Sequence, residues 1–149
     1  MNSGNPGRTM EILLVEDNEA DAFLMQEVLK ETPVRTAVHL ANDGEEGLDF
    51  LHRRGSHVAA PRPDLVILDL NLPRKDGREL LAEVKRDPEL KTIPIVVLTT
   101  SESEEDIMRS YMLHANCYIT KPVGITQLFD MVKSMEDFWF GIAKLPPSR

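Results

Sequence analysis

Apolar residues in this chain gather into short runs, and each run stops abruptly at a polar residue. Ile12-Leu13-Leu14-Val15 stops at Glu16-Asp17, and Leu65-Val66-Ile67-Leu68 stops at Asp69. Ile95-Val96-Val97-Leu98 stops at Thr99-Thr100, and Tyr118-Ile119-Thr120 stops at Lys121-Pro122. A further segment, Val34 to Leu40, alternates partly and reads as an additional strand. Uninterrupted apolar runs of this length match strands covered on both faces, as in a parallel sheet packed between helices.

Helical spacing fills the intervals. Asn18 caps a helix carrying Ala20, Phe23, Leu24 and Val28, which Thr32-Pro33 breaks. The turn Asn42-Asp43-Gly44 precedes a helix through Leu48 and Leu51, and Arg53 to Pro63 forms a long connection. A third helix carries Leu80, Leu81 and Val84 and ends near Asp87-Pro88. Ser101 and Glu104 have the spacing of a capping box for a helix running toward His114. The terminal helix spans about Ile125 to Phe140, with Ile125, Leu128, Phe129, Val132 and Met135 as its core stripe. The order is (βα)5, which right-handed crossovers close into an α/β doubly wound parallel sheet within a single domain. Ligands of such sheets bind beyond the carboxyl ends of the strands, where strand order reverses.

Composition narrows the class. The 149 residues suit one core, here expected over 10-140. Residues 1-9 read as a disordered leader or expression scar, and 141-149 as a C-terminal tail. A formal net charge of −8 argues against a nucleic-acid-binding face, which needs a basic stripe. No apolar stretch approaches the roughly 20 residues of a membrane helix. The single cysteine, Cys117, excludes an internal disulfide, suits a reducing cytoplasm and reads as a buried, inert thiol. His39, His52, His57 and His114 lack metal-ligand spacing and read as surface or packing residues.

The strand ends carry the chemistry. Glu16, Asp17 and Asp69 on adjacent ends would repel one another without a cation between them, and Mg2+ suits a site with few carboxylates. Asn71, two residues past Asp69, has a backbone carbonyl placed to join that metal set. Asp69 is the candidate nucleophile, since a carboxylate can carry an aspartyl phosphate. Lys121 offers a positive charge and Thr99 a hydroxyl donor to the phosphoryl oxygens. Taken singly, Lys121 could pair with a carboxylate, Thr99 could cap the next helix, and Glu16-Asp17 could be solvated helix-initial acids. A cis bond at Lys121-Pro122 would turn the lysine inward.

Glu16-Asp17, Asp69, Thr99 and Lys121-Pro122, in this order, resemble the receiver domain of bacterial two-component response regulators, over about Met10 to Met135. That resemblance implies the flavodoxin-like receiver fold and transfer of a phosphoryl group to Asp69 from a phosphohistidine on a sensor histidine kinase. It implies that Asp17, Asp69 and the Asn71 carbonyl hold Mg2+ directly while Glu16 acts mainly through water. It further implies a switch in which Tyr118 moves as Thr99 moves inward. Leu98-Thr99-Thr100-Ser101, Leu113 to Tyr118 and Glu136-Asp137-Phe138-Trp139 are most similar to the small single-domain regulators paired with bacterial phytochromes. Glu16 in place of aspartate, and the length of the 53-63 connection, depart from the family pattern.

One helix and a short tail follow Lys121, so the output is expected through a surface. Phe138, Trp139 and Phe140 are consecutive, and at least one must face away from the core, giving an interface for self-association. The phytochrome-linked resemblance implies a homodimer through the fourth and fifth helices. Among alternatives, a phosphatase using an aspartyl phosphate usually has a second acid two residues after the nucleophile, where this chain has Asn71. A flavin-binding domain would place a phosphate-cradling loop after the first strand, where Glu16-Asp17 would repel phosphate.

Overall fold

A computed structural model describes residues 8-147. Most of the expected leader, and the last two residues of the expected tail, lie outside the described residues. Five parallel strands form one sheet in the order β2-β1-β3-β4-β5. They are β1 (Met10–Val15), β2 (Thr36–Ala41), β3 (Leu65–Leu68), β4 (Ile95–Thr99) and β5 (Cys117–Thr120). The helices are α1 (Glu19–Glu31), α2 (Gly44–His52), α3 (Gly77–Arg86), α4 (Glu104–Met112) and α5 (Ile125–Glu136).

The three continuous apolar runs are the three central strands, and β3 and β4 are buried at every position. The edge strands β2 and β5 are only half-buried, which explains their weaker apolar signal. One core layer joins Leu13 and Val15 to Leu48, Leu51, Leu80 and Val84 of α2 and α3. The other joins Ile12 and Leu14 to Met25 and Leu29 of α1 and to Val132 and Met135 of α5. Alternate side chains of β1 thus serve opposite layers, as the strand's period of two requires. No helix among the described residues is long and apolar enough to cross a membrane.

Helix starts follow local hydrogen bonding. Asn18 and Asp43 cap α1 and α2 by accepting the amides of Asp21 and Glu46. For α4 the cap is Ser103, not Ser101; Ser101 instead donates its hydroxyl to Asp106. The long connection after α2 contains one 3-10 turn, Gly55–His57.

Two helix faces differ from expectation. In α1 the buried residues are Ala22, Met25, Val28 and Leu29, whereas Phe23 is 61% and Leu24 40% exposed. Apolar residues outnumber the positions that one face can bury, so docking against the sheet selects the set. On α5, Ile125 is exposed, and Val132, Met135 and Glu136 form the buried stripe. The helix then widens into a π-turn, Asp137–Ile142, closed by the Ala143 amide on the Phe138 carbonyl at 2.7 Å. Phe140 continues the buried stripe and is 4% exposed, which removes it from the expected interface. Trp139 packs partly against the same core, while Phe138 remains exposed.

Candidate functional site

Strand order reverses between β1 and β3, since the chain passes from β1 to β2 on one side and then crosses to β3 on the other. Val15 pairs with Leu68, and the Asp69 amide donates to the Val15 carbonyl at 3.1 Å. Glu16 and Asp69 therefore leave the sheet side by side. The same holds on the other flank, where the Lys121 amide donates to the Thr99 carbonyl at 2.7 Å. Register alone delivers Glu16, Asp69, Thr99 and Lys121 to one rim.

The acidic residues converge as expected. Glu16, Asp17 and Asp69 each offer a carboxylate oxygen, and these oxygens lie within 4.8 Å of one another. Glu16 and Asp69 are buried and Asp17 is exposed, so the cluster opens to solvent on one side. That donor set, three hard oxygens with an open face, fits a divalent cation that retains water. Asn71 is exposed, and its backbone N–H donates to Asp69 Oδ1 at 3.2 Å.

Lys121 is the positive charge of the site. Its Nζ lies 2.7 Å from Glu16 Oε1, 2.8 Å from Asp21 Oδ2 and 3.1 Å from Asp69 Oδ2. Burial alone would depress this ammonium, but its hydrogen bonds to Asp21, Glu16 and Asp69 outweigh burial and raise its pKa. Burial also raises the Glu16 pKa; the Lys121 and Asn18 hydrogen bonds oppose it and the Asp69 charge adds to it. Lys121 thus pairs with carboxylates, Asp69 among them. The Lys121-Pro122 bond is trans, so the lysine reaches inward without a cis turn.

Thr99 behaves differently. It is fully buried, and its hydroxyl has no hydrogen-bond partner, so it does not cap the next helix. An orphaned buried hydroxyl is rare because burial without a partner is costly. Tyr118, on β5, donates its hydroxyl to the Ser101 carbonyl at 3.0 Å, on the loop that follows Thr99. Beside Asp69 lies a cavity of about 120 Å³ whose walls include Leu24, Met25, Leu98 and Val123.

Glycine shapes the floor. A Cβ on Gly77 would lie 2.4 Å from the Asp69 carbonyl oxygen, so only glycine lets α3 start directly against the end of β3.

Sequence reasoning missed Asp21, the third carboxylate on Lys121. It sits in the first turn of α1, where an acid is ordinary, and only the fold turns it toward β5. The half-buried Cys117 thiol has its pKa raised by burial, in keeping with an inert role. His39, His52 and His57 lie beside Glu11, Glu83 and Glu46 at 2.7, 3.5 and 3.7 Å, away from the metal-capable cluster.

Known proteins are similar to this chain in sequence and in fold. The model of the response regulator receiver domain matches residues 12–133. Response regulator Rcp1 of Synechocystis sp. is 51% identical over 135 residues, covering 91% of this chain and 92% of Rcp1. The crystal structure of Mn(2+)-bound Rcp1 superposes with a TM-score of 0.87 at 50% identity, covering 93% of this chain and 99% of that one. The crystal structure of the phosphorylated cyanobacterial phytochrome response regulator RcpA gives a TM-score of 0.90 at 53% identity, covering 94% and 100%. A family match over residues 12–133, and 51% identity to Rcp1 over 91% of the chain, place this chain in the response regulator receiver family, as a signalling module of that kind.

Proposed function

We propose that Asp69 accepts a phosphoryl group from the phosphohistidine of a sensor histidine kinase, and that its arrival switches a protein-binding or dimerisation surface. The observation that carries this reading is the Asp69 carboxylate itself: 7% exposed, at the crevice between β1 and β3, with Oδ2 3.1 Å from Lys121. A carboxylate oxygen attacks phosphorus, the P–O bond to Asp69 forms, and the P–N bond of the donor breaks. The electron pair of that bond stays with the imidazole nitrogen.

Lys121 places its ammonium where charge accumulates on the phosphoryl oxygens, and the Thr99 hydroxyl is a donor awaiting an acceptor. Mg2+ would be held by Asp17, Asp69 and the Asn71 carbonyl, with Glu16 beside them. When bound, it neutralises carboxylate and phosphoryl oxygens together. Support for a divalent cation comes from the clustered carboxylates and from the Mn(2+)-bound relative. Tyr118 and Thr99 act as the switch pair, and catalysis is limited to the chain's own phosphorylation and dephosphorylation.

Relatives called phytochrome response regulators support a bacterial phytochrome as the kinase partner. The phosphatase alternative finds no support, since Asn71 offers an amide where a leaving group needs an acid. Acetyl phosphate with Mg2+ should add one hydroxylamine-labile phosphoryl group by intact mass, and Asp69→Asn should abolish it. Modification persisting in that variant would sink the assignment.

A further inference from the structure

Beyond the site, a chain of hydrogen bonds runs from α3 to the Tyr118 hydroxyl. Arg78, in the first turn of α3, is held by the cap residue Asp76, whose carboxylate oxygens lie 3.3 and 3.2 Å from Nη1. Its other nitrogen, Nη2, donates to Asp106 Oδ1 at 2.7 Å. The second Asp106 oxygen accepts the Ser101 hydroxyl at 2.7 Å, and the Ser101 carbonyl accepts the Tyr118 hydroxyl at 3.0 Å. Ser103 closes the turn, its hydroxyl accepting the Asp106 amide at 3.2 Å and its amide donating to Ser101 Oγ at 3.3 Å.

The Arg78–Asp106 pair is not a solvated surface pair. Its side chains are 17% and 22% exposed, and both partners make further bonds that fix their orientation. Beyond the two Arg78 contacts, every link in the series ends on Ser101 or Ser103, in the turn that follows β4. Ser101 is the hub: its hydroxyl answers to α3 through Asp106, and its carbonyl answers to β5 through Tyr118. A turn held at both ends of one residue has few alternative positions, so the groups attached to it are held too.

The geometry points to Arg78 as a positioning residue for phosphoryl acceptance: acting through Asp106 and Ser101, it braces the turn after β4 so that Thr99 and Tyr118 keep their places at the site. This rests on the reading of Asp69 as acceptor. The hydrogen-bond partners of the Arg78 side chain are Asp76 and Asp106, so its effect passes through the turn. Lysine, a point charge with no fork, can meet Asp106 or Asp76 but not both in the same geometry.

The test uses nitration of the unphosphorylated chain by tetranitromethane, comparing Tyr118 with the exposed Tyr111 by peptide mass spectrometry. Arg78→Gln and Asp106→Asn should each raise the Tyr118-to-Tyr111 ratio several-fold. Both should also slow incorporation from acetyl phosphate several-fold at saturating Mg2+, with Arg78→Lys recovering part of each loss. Ser101→Ala, which leaves the Arg78–Asp106 pair intact and removes the hydroxyl's bonds to Asp106 and to the Ser103 amide, should move both readouts in the same direction. It decides the matter if the charge variants fold poorly. An unchanged nitration ratio in Ser101→Ala, or in both charge variants, overturns the brace. A raised ratio with wild-type incorporation overturns its role in acceptance. Incorporation surviving Asp69→Asn would instead overturn the acceptor assignment, while nitration, which needs no phosphate, still judges the brace.

Discussion

Thr99 is the residue whose environment is least explained by stability alone. Its hydroxyl is buried without a partner, and leaving such a group unsatisfied costs about 1–3 kcal/mol. Valine keeps the branched shape and removes the polar atom. Thr99→Val should therefore raise the thermal midpoint of the unphosphorylated chain, by an amount equivalent to about 1 kcal/mol, while slowing phosphorylation. A lower midpoint by differential scanning calorimetry would mean that the hydroxyl has a partner in solution. Lys121 shows the opposite case: three carboxylates share one ammonium, so its charge is matched within the fold.

At the scale of the element, the clearest case is the junction of α5 with its π-turn. Glu136 is 2% exposed and accepts the Thr32 hydroxyl at 2.8 Å, tying the end of α5 to the end of α1. Burial raises its pKa above the ordinary 4.5; the Thr32 hydrogen bond and Lys133 oppose the rise and Asp137 adds to it. The folded chain therefore holds this proton more tightly than the unfolded chain. Stability from Glu136 is fully present below the ordinary value and is lost as pH rises through the folded one. Glu136→Gln keeps the shape and removes the titration. Its thermal midpoint should exceed that of the wild type at pH 7, with the advantage shrinking toward pH 4. A pH-independent difference would count against the ionisation argument.

For the whole molecule, the question is where the output leaves. Phe138 is 48% exposed, and its ring meets Trp139 edge-on with centroids 5.2 Å apart. Nearby Ile142 is 74% exposed, so the end of α5 presents apolar surface that this chain does not cover by itself. We expect Phe138→Ala to weaken self-association with little change in thermal midpoint, because about half of the side chain already faces solvent. Trp139→Ala should lower both, because Trp139 also packs against the α1 and α5 layer. Sedimentation velocity over a concentration series, run with and without acetyl phosphate, measures the first effect. Identical profiles for Phe138→Ala and wild type at every concentration would remove the patch from the interface.

Sequence by itself determined the strand ends. A continuous apolar run must be buried on both faces, so its first polar residue marks the rim, and Glu16, Asp17, Asp69 and Thr99 were legible for that reason. It also determined the parallel α/β architecture, because strands and helices alternate along the chain. What only the tertiary structure decided was which face each helix buries. Phe23 and Met25 are equally apolar, and contact with the sheet, not periodicity, buried Met25 and left Phe23 in water. Phe140 went inward for the same reason, continuing a stripe that the π-turn prolongs. Tertiary structure likewise brought Asp21 to Lys121 and Arg78 to Asp106, pairs separated by 100 and 28 positions. Local patterns report burial one element at a time, whereas partners from different elements are chosen by how those elements pack.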